Sequence, residues 1–320
     1  MKLLRVLFSL ILIILLSVTA YATELLIPGG QVVGLELMDD TVTVVAFDGD
    51  LGDAAKAAGL REGDRILKID ETHITCARDV RTALSHSNGQ IDILVMRGGK
   101  TKELTFSPAA TGDGPKLGVY LRQGTTGIGT VTYYLPDSGE FAALGHGVNT
   151  QNGDLLQMTD GSVYPAQVAA VKKGAIGAPG QLIGQITDPT ASGSIRQNTD
   201  QGIFGKLEKQ PFAEPLPVAA SSEIHPGKAT IRSTVEGCAL REYSVEILKV
   251  YPNSRDRNRN MLLKVTDPAL LSATGGIVQG MSGSPIIQDG KLVGAVTHVL
   301  VNDPTTGYGI FIENMLDAAA

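Results

Sequence analysis

The stretch Gly-Met-Ser-Gly-Ser-Pro, at residues 280–285, opens the segment that decides the fold. Two short apolar runs follow it, at residues 285–288 and 291–297, and Asp-Gly at 289–290 joins them. An Asp-Gly pair between two such runs is a strong signal for a β-hairpin. Glycines on both sides of Ser282 permit a sharp turn and let a carbonyl group approach the hydroxyl. The segment therefore predicts an exposed serine on a rigid turn that leads into a hairpin.

Short apolar or alternating runs separated by turn residues also fill most of the chain from Lys116 onward. Glycine accounts for 38 of 320 residues, and so many glycines would interrupt a helical bundle. With 43% apolar and 19% charged residues, the composition excludes a disordered chain, a coiled coil and a collagen. The net charge of −6 and the lack of a basic stripe argue against a nucleic-acid partner. The pattern predicts a mainly β protein, either a barrel or a sandwich.

The first 22 residues have the pattern of a secretory signal. Lys2 and Arg5 precede an apolar run at residues 6–18, and the small-x-small sequence Ala-Tyr-Ala follows at 20–22. A basic region, an apolar core and small residues at the cleavage site define a signal peptide. An uncleaved anchor that holds the protein at a membrane is the alternative, because residues 6–23 carry no charge.

Residues 31–108 form a candidate module of strands, a short helix, a strand, a longer helix at 78–86 and a final hairpin. The run Gly-Leu-x-x-Gly-Asp-x-Ile-Leu at 59–67, with this element order, resembles a PDZ domain. PDZ domains bind peptides by adding a strand to a sheet edge beside a helix. The resemblance places that edge at Gly34, Leu35, Glu36 and Leu37. The alternative is a PDZ-shaped spacer that binds nothing. Residues 109–115 read as a linker to a second domain at 116–320.

The serine segment has the elements of a nucleophile. The pattern Gly-x-Ser-Gly-x-Pro resembles the serine loop of chymotrypsin-like proteases, in which the backbone N–H groups of Gly280 and Ser282 would form an oxyanion hole. A serine hydroxyl also needs a base. His146, which lies between two glycines after an apolar stretch, is the best candidate. His225, beside a proline, and His298, inside a predicted strand as a packed residue or a wall of the cleft, are weaker ones.

A carboxylate that orients the imidazole would complete the site. Asp267 lies 15 residues before the serine. Asp267-Pro268 is equally well explained as a helix N-cap followed by proline at the first helical position. The other candidates for the acid are Asp154, Asp160 and Asp188.

Longer segments resemble one family, the stage IV sporulation protein B peptidase. They are residues 143–146, 202–206, 262–268, 275–287, 294–299 and 302–309. The resemblance implies a PDZ-like domain followed by a chymotrypsin-like double β-barrel serine peptidase. It also implies Ser282 as nucleophile and His146 as base, and it assigns Asp267 to the triad as the acid. No cofactor or metal is expected, because the chain has neither His-x-x-x-His nor Cys-x-x-Cys spacing.

The same resemblance implies a role in sporulation signalling. An enzyme of this kind is exported into the space between forespore and mother cell. There it cleaves a membrane-bound regulator of an intramembrane protease, which activates a late sigma factor in the mother cell, and it also cleaves itself. Two alternatives share the architecture: a catalytically inactive binding protein on a protease scaffold, and a general envelope quality-control protease.

Cys76 and Cys238 are the two cysteines of the chain. Export permits a disulfide between them. Two buried thiols in separate domains are the favoured interpretation.

Overall fold

A computed structural model describes residues 24–136, 138–150, 153–209, 213–254 and 256–320, so the predicted signal peptide at 1–22 lies outside the described residues. The strands of the first half are β1 Leu25–Pro28, β2 Val32–Phe47, β3 Arg65–Ile69, β4 Thr72–His73, β5 Ile91–Arg97, β6 Lys100–Phe106, β7 Ala109–Thr111, β8 Gly114–Lys116, β9 Val119–Tyr134 and β10 Glu140–Ala143. Those of the second half are β11 Asp160–Lys172, β12 Gln181–Ile186, β13 Gly193–Thr199, β14 Gly202–Leu207, β15 Leu216–Pro217, β16 Gly227–Thr234, β17 Leu240–Val250, β18 Met261–Val265, β19 Pro285–Gln288, β20 Lys291–Leu300 and β21 Asp303–Phe311. The α-helices are α1 Asp53–Ala57, α2 Ala77–His86, α3 Pro268–Thr274 and α4 Ile312–Ala319; Gly49–Gly52 and Ser221–Glu223 are 3₁₀ turns.

Six strands form a first barrel in the order β9-β10-β14-β13-β11-β2, and the pairing of β2 with β9 closes it. Alternate residues of these strands point inward, as in any strand with one buried face. The inward residues of β2 are Val33, Leu35 and Leu37, which pack with Val131 and Phe141. All five side chains are buried, so they form the interior of this barrel.

A second barrel closes in the order β16-β17-β18-β21-β20-β19. Its core includes Ile231, Val245, Leu263 and Val296. The hairpin predicted after the serine loop is confirmed as β19 and β20, joined by Asp289 and Gly290 at positive φ. The double β-barrel expected from the family resemblance is therefore present.

The PDZ-like part shares a strand with the first barrel. The predicted strands at 33–37 and 41–47 are one strand, β2, with an irregularity between Leu37 and Val42. Val42 and Val44 pack on β3, β5 and α2 in a separate apolar core with Ile66 and Val80. The two helices predicted in this part are confirmed as α1 and α2. The predicted linker at 109–115 contains the hairpin β7–β8, and the domain boundaries themselves stay predictions.

A fourth apolar cluster packs the two barrels together. Tyr133 and Phe204 of the first barrel contact Leu292 and Ile310 of the second, and Met315 of α4 joins them. All five side chains are buried, so burial of their apolar surface holds the barrels in one orientation. No helix in the described ranges is long and apolar enough to cross a membrane.

Candidate active site

The serine loop is attached to the second barrel by its backbone. The Gly283 amide donates to the Val296 carbonyl at 2.7 Å, and the Val296 amide donates to the Ser284 carbonyl at 2.9 Å. The Met281 side chain is fully buried and packs in the core of the second barrel, which fixes the loop to that barrel. Gly280 and Gly283 both have a φ of +96°, which only glycine adopts readily. The glycines predicted to permit a sharp turn are therefore required by the backbone conformation.

Thr130 of β9 holds the same loop from the first barrel. Its amide donates to the Ser282 carbonyl at 3.2 Å, and its Oγ1 donates to the Gly280 carbonyl at 2.7 Å. A Cβ atom at Gly283 would overlap the Thr130 carbonyl oxygen. Thr130 is far from Ser282 in the chain, and no local sequence signal marks it. Ser282 therefore lies at the junction of the two barrels, and hydrogen bonds from both barrels hold its loop.

Two backbone amides beside Ser282 are available to a substrate. Within the described residues, no oxygen accepts a hydrogen bond from the N–H group of Gly280 or of Ser282. Unpaired amides next to a nucleophile are the donors that stabilise a developing oxyanion. Their free state agrees with the oxyanion hole predicted at these residues.

His146 follows β10 through a tight turn. Leu144 has a φ of +70°, unusual for a residue with a side chain, and the Gly145 amide donates to the Ala143 carbonyl at 2.9 Å. The His146 Nδ1 atom lies 2.9 Å from the Gly147 carbonyl oxygen. A carbonyl only accepts, so the proton is on Nδ1 and the Nε2 atom is left free as a base. Burial lowers the pKa of His146, which keeps the ring neutral near pH 7.

Asn198 of β13 fixes the segment after His146. Its Nδ2 atom donates to the carbonyls of Val148 and Leu156 at 2.8 and 2.9 Å, and its Oδ1 atom accepts from the Val148 amide at 2.9 Å. An asparagine before a turn is usually assigned to the turn itself, so sequence reasoning missed it. The three hydrogen bonds make Asn198 a positioning residue for the His146 loop.

The structure brings Ser282 and His146 to one cleft between the barrels, of about 550 Å³. In this conformation the Ser282 hydroxyl donates to the Thr297 carbonyl at 2.8 Å rather than to His146. The hydroxyl proton must therefore turn away from the Thr297 carbonyl before it can pass to His146. Catalytic hydrogen bonds often tighten only when substrate binds.

His298 lies across the same cleft, where the sequence allowed it as a wall. Its ring centroid is 5.5 Å from that of His146, with an angle of 42° between the planes. Burial, followed by the nearby His146 and Arg259, lowers the pKa of His298 to about 4. Both rings are therefore neutral at pH 7, and neither repels the other through charge.

Asp267 is placed apart from these residues. Its Oδ1 atom accepts from the amides of Ala269 and Leu270 at 2.9 and 3.0 Å, so it is the N-cap of α3. Its Oδ2 atom lies 3.3 Å from the Ser244 amide. The residue does not line the cleft, and no hydrogen bond joins it to His146. The other predicted acids, Asp154, Asp160 and Asp188, do not line the cleft either.

The predicted peptide-binding edge at Gly34, Leu35, Glu36 and Leu37 is not an edge, and that prediction is wrong. These residues pair with β9 on one side and with β11 on the other, from Gly34 opposite Ile128 and Tyr164 to Leu37 opposite Thr125 and Gly161. A strand bonded on both sides has no free amides for an added strand. The sequence could not reveal this, because both partner strands come from the peptidase part of the chain.

The cysteines also depart from the prediction. Cys76 is half-buried and Cys238 is exposed, and both are free thiols rather than two buried ones. No group of three or more histidine, cysteine, aspartate or glutamate side chains in the described part of the chain is arranged to hold a metal ion.

Comparisons with known proteins identify the family of this chain. The family model described as SpoIVB peptidase S55 matches residues 114–316, and a PDZ domain model matches residues 31–107. No curated protein matches the chain. The crystal structure of the active form of Rv3671c protease from M. tuberculosis aligns over 60% of this chain and 72% of its own, at 14% identity and a TM-score of 0.37. The inactive form aligns over 59% and 81%, at 14% identity and a TM-score of 0.35. The family model covers more than half of the chain, and Ser282 and His146 share one cleft at the junction of two β-barrels, so this chain is a serine peptidase and belongs to the SpoIVB peptidase S55 family.

Proposed function

We propose that the protein is an exported serine endopeptidase of sporulation signalling, which cleaves a membrane-bound regulator and its own chain. The observation that carries the catalytic part is the cleft in which Ser282, His146 and the free amides of Gly280 and Ser282 meet. Membership of the SpoIVB peptidase S55 family supports the signalling part.

The geometry suggests how the residues share the reaction. A substrate carbonyl placed against the two amides brings its carbon above Ser282, and the hydroxyl turns from Thr297 to the Nε2 atom of His146. His146 takes the proton as the Oγ–C bond forms, and the amides receive the negative charge on the oxygen. The Gly147 carbonyl stabilises the imidazolium through Nδ1–H. His146 then gives the proton to the leaving amine, and water repeats the sequence to release the acyl group.

The remaining parts of the proposal concern targeting. The signal pattern at 1–22 supports export, or membrane association if the segment is retained. The PDZ-like part, which a PDZ family model matches, supports recognition of peptide segments of the substrate or of the protein itself. A location between forespore and mother cell follows from the family resemblance.

Labelling and N-terminal sequencing test the proposal together. We expect a fluorophosphonate probe to label the wild-type protein, and we expect N-terminal sequencing to find a self-cleavage site that Ser282→Ala lacks. Ser284→Ala is a matched control, since the Ser284 hydroxyl is buried against Ser233 and lies outside the cleft. An unlabelled wild-type protein would support the inactive scaffold instead, and broad cleavage of unfolded casein would support a quality-control protease.

A further inference from the structure

A second cavity, of about 520 Å³, opens beside the catalytic cleft. Its walls come from β2, β9, β11 and β12, and the aliphatic side chains that it exposes are those of Ile128, Ile183 and Ile186, since Leu35 and Leu182 are buried. Ile183 and Ile186 each expose 49% of their surface. Exposed aliphatic side chains gathered around one concavity mark a place where apolar groups bind.

The cavity adjoins the catalytic cleft. Ile128 lines both spaces. The start of β12 is bonded to the chain that leads into the serine loop, because the Leu182 amide donates to the Gln279 carbonyl at 2.8 Å. The Gln279 amide in turn donates to the Gly180 carbonyl at 2.9 Å. These contacts place the cavity beside the serine loop, on the side of the cleft where Ile128 lies.

The cavity also offers backbone to an extended peptide. Residues 183–186 of β12 pair only with β11 within the described ranges, so the other edge of the strand is open. Extended peptides bind such edges through main-chain hydrogen bonds, and pockets for alternate side chains supply the specificity.

One carboxylate stands at the rim. Glu36 accepts a hydrogen bond from the Tyr164 hydroxyl at 2.7 Å, an interaction that raises the pKa of that hydroxyl. None of the ion pairs among the described residues involves Glu36. Its negative charge disfavours an acidic residue of a bound peptide at this position.

We propose that this cavity is a substrate subsite that receives a large aliphatic side chain of an extended peptide and rejects an acidic one. The side chain that occupies it belongs to a residue on the side of the scissile bond nearer Ile128. The proposal rests on the proposed function, because it names the substrate class of the same active site.

Thr126 provides the test of this subsite. It lines the cavity, is exposed and pairs with Glu36, so the two side chains lie on the same face of the sheet and Thr126→Phe directs its ring into the space. Thr101 of β6 is also exposed in a strand and does not line the cavity. Thr101→Phe is therefore a matched control.

The readout is kcat/KM for a decapeptide library in which each position on either side of the scissile bond is varied. Full burial of a leucine side chain corresponds to roughly 10- to 150-fold in binding. For the wild-type protein we expect kcat/KM to favour leucine or isoleucine over aspartate by at least about tenfold at one flank position. In Thr126→Phe this ratio should fall toward one, and in Thr101→Phe it should persist. An unchanged ratio in a folded Thr126→Phe protein, or no aliphatic preference in the wild type, would overturn the subsite.

Binding to the Ser282→Ala protein separates this inference from the proposed function. We expect that protein to bind an uncleaved leucine peptide at least about tenfold more tightly than its aspartate counterpart, and Thr126→Phe added to it should abolish the difference. If this pattern holds while the wild-type protein neither cleaves nor reacts with a fluorophosphonate, the subsite stands and the peptidase activity fails. If cleavage occurs without the pattern, the activity stands and the subsite fails.

Discussion

Asp267 gives the sharpest prediction, because its two possible roles differ by orders of magnitude in their effect. In the structure its carboxylate caps α3 and accepts from the amides of Ala269 and Leu270, with the Ser244 amide nearby. Replacing an N-cap aspartate by alanine costs about 1.5 kcal/mol, within a usual range of about 0.5–2 kcal/mol. For a domain of this size, that loss lowers Tm by about 3–6 °C. Asp267→Asn keeps a side-chain oxygen at the cap, so its stability should change by less than about 0.5 kcal/mol.

Urea denaturation and peptide cleavage, measured on both variants, distinguish the roles. If Asp267 acts only as the cap, Asp267→Asn retains kcat within about threefold, and Asp267→Ala loses stability without a selective loss of turnover. If Asp267 is the acid of the triad, the asparagine variant loses about 10⁴-fold in kcat while its fold is intact, as expected for a histidine held in the wrong tautomer. That second result would refute the inference that the Gly147 carbonyl alone sets the tautomer of His146.

Four further predictions concern Thr130, Gly283 and the two histidines of the cleft. Thr130→Val removes the hydroxyl that donates to the Gly280 carbonyl and should lower kcat about tenfold, whereas Thr130→Ser keeps a hydroxyl and should retain kcat. Steady-state kinetics on both variants measure this, and an equal loss of kcat in the two variants would show that only packing matters. In Gly283→Ala the added methyl group would overlap the Thr130 carbonyl oxygen, and the residue would also keep a φ of +96°. The free energy of unfolding, measured by urea denaturation, should fall by about 3 kcal/mol or more, and a fall below about 1 kcal/mol would contradict the close contact. Because burial lowers the pKa of His146 below 6.5, the acid limb of kcat/KM should have its midpoint below pH 6.5, with activity lost as pH drops through that lowered pKa; a midpoint above 6.5 would contradict this. As pH falls, the histidine at 298 binds a proton near pH 6.5 in the unfolded chain but only near its pKa of about 4 in the folded protein. The free energy of unfolding should therefore also fall between pH 6.5 and about pH 4.

Much of the fold was predictable because its signals are local. The Asp-Gly turn between β19 and β20, the two helices of the PDZ-like part and the alternating strands follow from backbone preferences that a few neighbouring residues set. Strand lengths were less predictable. The irregularity between Leu37 and Val42 reads in the sequence as a break, yet pairing with β9 carries one strand through it. Ladder hydrogen bonds from a distant segment outweighed the local signal.

The candidate site likewise contains residues that a local sequence signal marks and residues that no local signal marks. Ser282 between glycines and His146 between glycines were predictable, since each needs a tight turn that glycine permits. Thr130 and Asn198 were not, because their importance comes from contacts with residues that are distant in the chain.

The sequence by itself determined the turns, the two helices of the PDZ-like part and the choice of Ser282 and His146 as candidates for nucleophile and base, because these depend on covalent neighbours and backbone conformation. Only the tertiary structure decided which edges stay open and which side chains meet. It paired both edges of Gly34–Leu37, left one edge of residues 183–186 without a strand partner among the described residues, and turned the Asp267 carboxylate to the amides of Ala269 and Leu270. Those outcomes depend on which strands pair across long stretches of chain, and a local pattern carries no information about such pairing.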